Sequence, residues 1–180
     1  RCIRTIALFK KFYEYNHGFS KLSSLPQISH IEVTNACNLK CRFCNRELFT
    51  SHRGTGYMSF RQFKEIVDNY SKLMIKPFLF ADGESLLHPD IVDMVSYAKF
   101  EGGCEGVGLI TNGTLLFPET FERLVDAGLT ELEVSFEGTN KKTYEYLRKG
   151  AKYEEAEQNI LSACERNFEL GNPVRLTIHI

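Results

Sequence analysis

Three cysteines, Cys37, Cys41 and Cys44, stand in C-x3-C-x2-C spacing within the run Cys37-Asn38-Leu39-Lys40-Cys41-Arg42-Phe43-Cys44. Thiolates this close in one short loop read as ligands of one metal centre. Their count matters as much as their spacing. A four-iron cluster normally takes four cysteines, so three leave one iron open to a ligand that is not protein. The rival is a structural zinc site, which would need a fourth ligand such as His52, His30 or Cys2. Cys2, Cys104 and Cys164 stand apart from one another and read as ordinary thiols.

The elements that must position this loop follow from a regular alternation. Short apolar stretches at 31–34, 78–81, 107–111, 132–136 and 174–180 read as five strands. Between them, Ser59 and Gln62 form a capping box that opens a helix over 60–74, closed by Pro77. A second helix is expected over 91–100, capped by Asp90 and ended by Gly102-Gly103. A third starts at Pro118 and stops at Gly128. Two more run over 141–147 and 153–170. The stretch 51–56 reads as polar loop.

Short, nearly all-apolar strands alternating with helices predict an α/β fold with a parallel sheet covered by helices. Ligands of such folds bind beyond the carboxyl ends of the strands. The cysteine loop, Asp82-Gly83-Glu84-Ser85, Asn112-Gly113 and Glu137-Gly138 all leave those ends, which makes that rim the expected active-site face. His88 is expected to pack or cap beside Pro89, and His179 to be a satisfied rim histidine.

Composition bounds the rest. The chain has 180 residues, 43% of them hydrophobic and 25% charged, with a formal net charge of −1. Neither a basic surplus nor a basic block is present, which argues against a general nucleic-acid or membrane-surface binder. No apolar run is long enough to span a bilayer. The chain begins at Arg1, so a longer parent protein is expected. Residues 1–28 read as an N-terminal helical extension, with Ile3, Ile6, Phe9, Phe12 and Tyr13 on one face packing outside a core domain of 29–180. A signal peptide would need an unbroken apolar core, so clustered cysteines in a reducing cytoplasm are expected.

With these residues placed, the sequence resembles the core of radical S-adenosylmethionine (SAM) enzymes over 31–180. The family hallmark C-x3-C-x-Φ-C, Φ being aromatic, is carried by Cys37, Cys41, Phe43 and Cys44. The resemblance is to the peptide- and cofactor-maturing branch. Its Gly-Gly-Glu-Pro motif falls here on Ala81, Asp82, Gly83, Glu84 and Ser85, with Ala81, Asp82 and Ser85 departing from it. Thr111-Asn112-Gly113 and Val134-Ser135-Phe136-Glu137-Gly138 match the same branch.

The resemblance implies a partial (β/α)6 TIM-like barrel, with about five parallel strands and outer helices present, and a sixth strand and further C-terminal domain expected after Ile180. It implies that Cys37, Cys41 and Cys44 hold a [4Fe–4S] cluster whose fourth iron is chelated by SAM. Backbone oxygens of Ala81, Asp82, Gly83 and Glu84 would receive the SAM amino group. Ser135 would meet its ribose or carboxylate, Arg148 its carboxylate and Phe43 its adenine, with Asn112 facing the same pocket. The implied activity is reductive cleavage of SAM to a 5′-deoxyadenosyl radical that abstracts hydrogen from a peptide, protein or cofactor precursor. An electron donor such as flavodoxin or ferredoxin is the implied partner. A degenerate domain that binds the cluster without turnover is the other outcome left open.

Overall fold

The structure is a computed structural model that describes residues 2–21, 23 and 27–180, with side chains for all of these except 2–8 and 49. Its sheet forms where apolar runs can be buried on both faces. Strands β1 (Gly108–Thr111), β2 (Glu131–Ser135) and β3 (Arg175–His179) pair in parallel in the order β1-β2-β3. Leu109 lies beside Leu132, and Leu132 beside Leu176.

The first two predicted strands are correctly placed but do not extend into ladders. Single parallel bridges join His30 to Phe78 and Phe78 to Gly108, so the Phe78 segment lies beside β1 and the His30 segment beside it in turn, extending the parallel order. Ladder growth stops because other groups take the next partners. The Val33 carbonyl accepts the Met58 N–H at 2.8 Å. The Leu79 carbonyl accepts the Ser85 hydroxyl at 2.7 Å. Each diversion bends a chain towards the cysteine loop, so the lost strand bonds help to build the site.

Helices α1 (Cys2–Asn16), α2 (Arg46–Arg53), α3 (Phe60–Tyr70), α4 (Ile91–Ser96), α5 (Pro118–Asp126), α6 (Lys141–Leu147) and α7 (Tyr153–Glu169) complete the chain. The α3 capping box is formed, the Ser59 side chain accepting from Gln62 and the Gln62 side chain from the Ser59 N–H. Asp90 makes no side-chain cap on α4. Instead its own N–H donates to His88 Nδ1 at 3.0 Å, and His88 Nε2 lies 2.8 Å from the Met58 carbonyl, so His88 is a satisfied core residue. After Ser96 the helix widens into a π turn over Tyr97–Glu101 before Gly102.

The core lies between sheet and helices. Phe63, Val67, Met94, Phe121, Leu124, Leu109 and Leu132 are all fully buried. Each such side chain contributes roughly 1.5–3 kcal/mol relative to exposure. The predicted Ile3 and Ile6 side chains lie outside the described residues; over the described part of α1 the aromatic side chains stay exposed. Phe9 and Phe12 are 71% and 70% exposed, and the residue that turns inward is Glu14, whose carboxylate accepts the Ser23 N–H at 3.2 Å. No helix among the described residues is long and apolar enough to cross a membrane.

Candidate metal centre

The cysteine loop is shaped by backbone bonds before any ligand is considered. Lys40 N–H donates to the Lys149 carbonyl and Arg42 N–H to the Leu147 carbonyl, both at 2.9 Å, strapping the loop to the end of α6. Cys44 N–H closes a turn on the Cys41 carbonyl at 3.2 Å. Helix α2 then starts two residues after Cys44, an element that its sequence hides. Arg46-Glu47-Leu48-Phe49-Thr50-Ser51-His52-Arg53 carries too few apolar residues to show a helical stripe.

Each sulfur has an N–H donor nearby. Leu39 N–H lies 3.5 Å from Cys37 Sγ, and Arg46 N–H 3.4 Å from Cys44 Sγ. Asn112 Nδ2 lies 4.0 Å from Cys37 Sγ, and Arg148 Nη1 3.9 Å from Cys41 Sγ. N–H donors towards sulfur favour the thiolate, the form that binds metal. Burial acts the other way. It pushes the Cys37 thiol up, chiefly by desolvation and partly through Glu84, against relief from Leu39 N–H and Arg46. It likewise pushes Cys41 up, against the nearby Arg148 guanidinium. Metal binding to such thiols releases their protons.

Every site residue predicted above lines one cavity of about 230 Å³: Cys37, Cys41, Phe43, Cys44, Ala81, Asp82, Gly83, Glu84, Asn112, Ser135 and Arg148. A larger cavity, about 660 Å³, lies between α3 and the 53–58 loop and holds none of the three cysteines. The smaller one is lined by all three clustered cysteines.

Gly83 is required for a reason other than ligand approach. A Cβ there would run into the Thr34 carbonyl and come within 2.7 Å of the Ala36 carbonyl. The 81–84 loop is thus pressed against the backbone that leads into the cysteines, and Glu84 N–H fixes it on the Ala36 carbonyl at 2.7 Å.

Glu84 is 2% exposed, and its carboxylate serves the protein itself. It accepts Thr111 Oγ1–H at 2.8 Å, Asn112 N–H at 2.7 Å and Leu86 N–H at 3.1 Å. Burial pushes its carboxyl up even against these three donors. Asn112 Nδ2 in turn donates to Asn38 Oδ1 at 3.0 Å, which links the loop after β1 to the cysteine loop.

Arg148 is 4% exposed, and Glu137 was not foreseen as its partner. Arg148 Nη2 stands 3.0 Å from Glu137 Oε2, a close ion pair whose geometry falls short of a hydrogen bond. Glu137 holds a positive φ of 52°, an uncommon backbone for a residue with a side chain. Such conformations persist where surrounding structure enforces them. The signal available in sequence was an acid two positions after Ser135, at a strand's carboxyl end. His179 sits 3.0 Å from Glu133, as a paired histidine on the sheet.

Among the described residues no three His, Cys, Asp or Glu side chains converge as ligands of one ion. Cys37, Cys41 and Cys44 line one cavity and could each bind a separate iron of one cluster. His30 lies beside Phe78, and His52 is on exposed α2, while the Cys2 side chain lies outside the described residues. The Nε of Arg148 is buried without a hydrogen-bond partner, a donor awaiting an acceptor at this cavity. The residues fit a cluster with an anionic co-ligand.

Comparison with known proteins agrees. A family model described as "Radical SAM superfamily" matches residues 31–178. The chain is 33% identical over 127 residues to an AdoMet-dependent heme synthase of Methanosarcina barkeri, covering 71% of this chain and 36% of that protein. It is 32% identical over 135 residues to a Methanocaldococcus jannaschii protein named "Probable GTP 3',8-cyclase", covering 75% of this chain and 44% of the relative. The crystal structure of BtrN in complex with AdoMet and 2-DOIA superposes with a TM-score of 0.65 at 19% identity, covering 87% of this chain and 58% of that one. The chain thus spans less than half the length of these two curated relatives.

Proposed function

The chain belongs to the radical SAM superfamily, and on that basis we propose that it is the radical-generating core of an enzyme acting on a small-molecule cofactor precursor. The superfamily's [4Fe–4S] cluster and SAM together supply one-electron cleavage of a carbon–sulfur bond and abstraction of hydrogen from an unactivated position. The observation that carries the reading is the shared cavity, in which three thiols meet the loops that follow successive parallel segments.

In this reading Cys37, Cys41 and Cys44 hold the cluster. Backbone carbonyls of residues 81–84 accept the amino group of SAM, and the contact of Gly83 with the 34–36 backbone keeps them in place. Arg148 offers its unpartnered Nε to the SAM carboxylate while Glu137 balances its charge. Ser135 reaches the ribose side and Phe43 the adenine. Buried Glu84 holds Asn112 and Thr111, so it orients the pocket wall and takes no part as a base.

A small-molecule substrate is favoured over a peptide or protein by the relatives' names, which refer to heme and GTP. Anaerobic loading with iron and sulfide, followed by visible spectroscopy and assay for 5′-deoxyadenosine, tests the proposal. A brown protein that cleaves SAM, with loss of both properties in Cys41→Ala, supports it. A colourless protein holding one zinc ion overturns it, and a cluster that never cleaves SAM marks a degenerate domain.

A further inference from the structure

Charge is not spread evenly along this chain. Residues 1–31 carry five cations, Arg1, Arg4, Lys10, Lys11 and Lys21, against one acid, Glu14. The remaining residues carry seventeen Lys and Arg against twenty-two Asp and Glu, a division that the net charge of −1 conceals. The one acid of the basic segment is withdrawn from the surface. Glu14 is buried, its carboxylate accepting the Ser23 N–H at 3.2 Å. Among the described residues Lys10, Lys11 and Lys21 form no ion pair, whereas Lys141 and Lys152 each meet a carboxylate.

Helix α1 is turned with its acid inward and its aromatic rings outward. At 100° per residue Phe9 and Phe12 lie on the side away from Glu14, and both are exposed. The helix ends on Gly18, whose φ of 66° is the left-handed conformation of a helix cap. Gly18 N–H donates to the Tyr15 carbonyl at 3.2 Å, and Phe19 N–H to the Glu14 carbonyl at 3.1 Å. This turn brings Phe19 back to the helix, its ring centre 6.4 Å from that of Tyr13, which stacks on His17 at 4.0 Å. Phe19 is exposed as well, so the cap adds a ring to the outward face.

Single exposed aromatics are ordinary on a protein surface, but a gathered patch marks an interaction site. A helix with bulky apolar residues on one face and lysines beside it lies in the plane of a membrane interface, and anionic lipid strengthens the attraction. The 15 residues of α1 are too few to cross a bilayer, so the helix would rest along it. Rings gathered on one helix face suit a lipid boundary better than a row of bases, which stack along an extended strand. A second copy would bring two segments of like charge together. We propose that residues 9–21 seat this protein on an anionic membrane surface. Phe9, Phe12 and Phe19 enter the headgroup region, and Lys10, Lys11 and Lys21 meet lipid phosphates.

The chain has no tryptophan, so one introduced by Phe12→Trp reports that position alone. Phe168→Trp, at an exposed ring on α7, is its control. Sedimentation is measured with phosphatidylcholine vesicles and with vesicles containing about one-third phosphatidylglycerol. It is repeated at about 0.5 M salt, where screening is strong. The anionic vesicles should carry down about tenfold or more of the protein than the neutral ones. Lys10→Gln/Lys11→Gln and high salt should each remove most of that difference, and Phe9→Ser/Phe12→Ser should lower binding at either salt. Melting temperatures, expected unchanged at these exposed positions, show that each variant is folded. Emission of the Phe12→Trp protein should shift to the blue and be quenched by brominated acyl chains, and that of Phe168→Trp should do neither. Absence of sedimentation, or equal sedimentation of the parent and both double variants, overturns the proposal. So does a shift shared by Phe168→Trp, which would mark general adhesion. Without vesicle binding, retention of a short single-stranded oligonucleotide would assign the segment to nucleic acid, and a solution dimer lost in Phe9→Ser/Phe12→Ser would assign it to a second copy. No iron, sulfide or SAM enters the assay, so its outcome is separate from that of the radical-enzyme reading.

Discussion

The Glu84 carboxylate accepts the Asn112 N–H at 2.7 Å, and this bond ties the loop after the second parallel segment to the loop after β1. Two further donors, from Thr111 and Leu86, complete its shell. Because burial raises the Glu84 pKa, folding favours its protonated form. Its contribution to stability is therefore fully present below the ordinary carboxylate range and is lost as pH rises through the raised value. Glu84→Gln keeps the shape but leaves at least one donor unpaired, at an expected cost of about 1–3 kcal/mol. Urea unfolding at several pH values should show this gap widest in acid and narrowing upward. A gap independent of pH would contradict the raised value.

Arg148 faces Cys41 Sγ at 3.9 Å with a permanent positive charge. Arg148→Met should shift the reduction potential of the loaded cluster downward by about 60 mV, the one-electron equivalent of about 1.4 kcal/mol. Arg148→Lys should recover part of the shift. Redox titration followed by electron paramagnetic resonance measures it, and an unmoved potential would mean that the guanidinium does not act on the sulfur.

The cysteines divide into two groups. Replacing Cys37, Cys41 or Cys44 by serine should abolish the visible absorption of the iron-loaded protein. Cys104, buried elsewhere in the core, and Cys164 on α7 should tolerate replacement by alanine with full iron content. Loss of iron in either of those two variants would argue for a different ligand set.

Tyr144 is completely buried with a hydroxyl that lacks a hydrogen-bond partner, and burial pushes its pKa from 10.0 up to about 12. A raised value means that stability holds below the unfolded pKa and falls as pH climbs from there through the folded one. Tyr144→Phe removes both the orphaned hydroxyl and this alkaline loss. It should leave the protein as stable at pH 8, or more stable by about 1 kcal/mol. Thermal melts at pH 8 and pH 11 compare the two, and strong destabilisation at pH 8 would reveal a partner for the hydroxyl.

The site was legible because its residues sit at strand ends, where chain order alone brings successive loops to one rim. That logic places Asp82–Gly83 and Asn112 on one rim, and the family resemblance adds Ser135; all of them line the cavity of the three cysteines. What it missed depends on contacts between distant segments. Glu137 looked like a strand exit until the buried Arg148 stood beside it. The constraint on Gly83 comes from carbonyls some fifty positions earlier in the chain, which no local pattern reveals. The first two strands were recognised by their apolar runs, but a hydroxyl on Ser85 and an N–H on Met58 cut their ladders short. Helix α2 carries only two large apolar residues, Leu48 and Phe49, so no apolar run marks it in the sequence.

Helix α2 begins beside Cys44 and ends at Arg53, whose guanidinium joins Glu32 at 3.0 Å and Asp82 at 2.6 Å. It is a strut, held at one end by the Arg46 N–H near Cys44 Sγ and at the other by Glu32 and Asp82. The entropy cost of holding the start of α2 beside Cys44 consequently falls on folding. Loosening the far end of that strut, by cutting the Arg53 fork, would slow metal capture from a distance without touching a ligand.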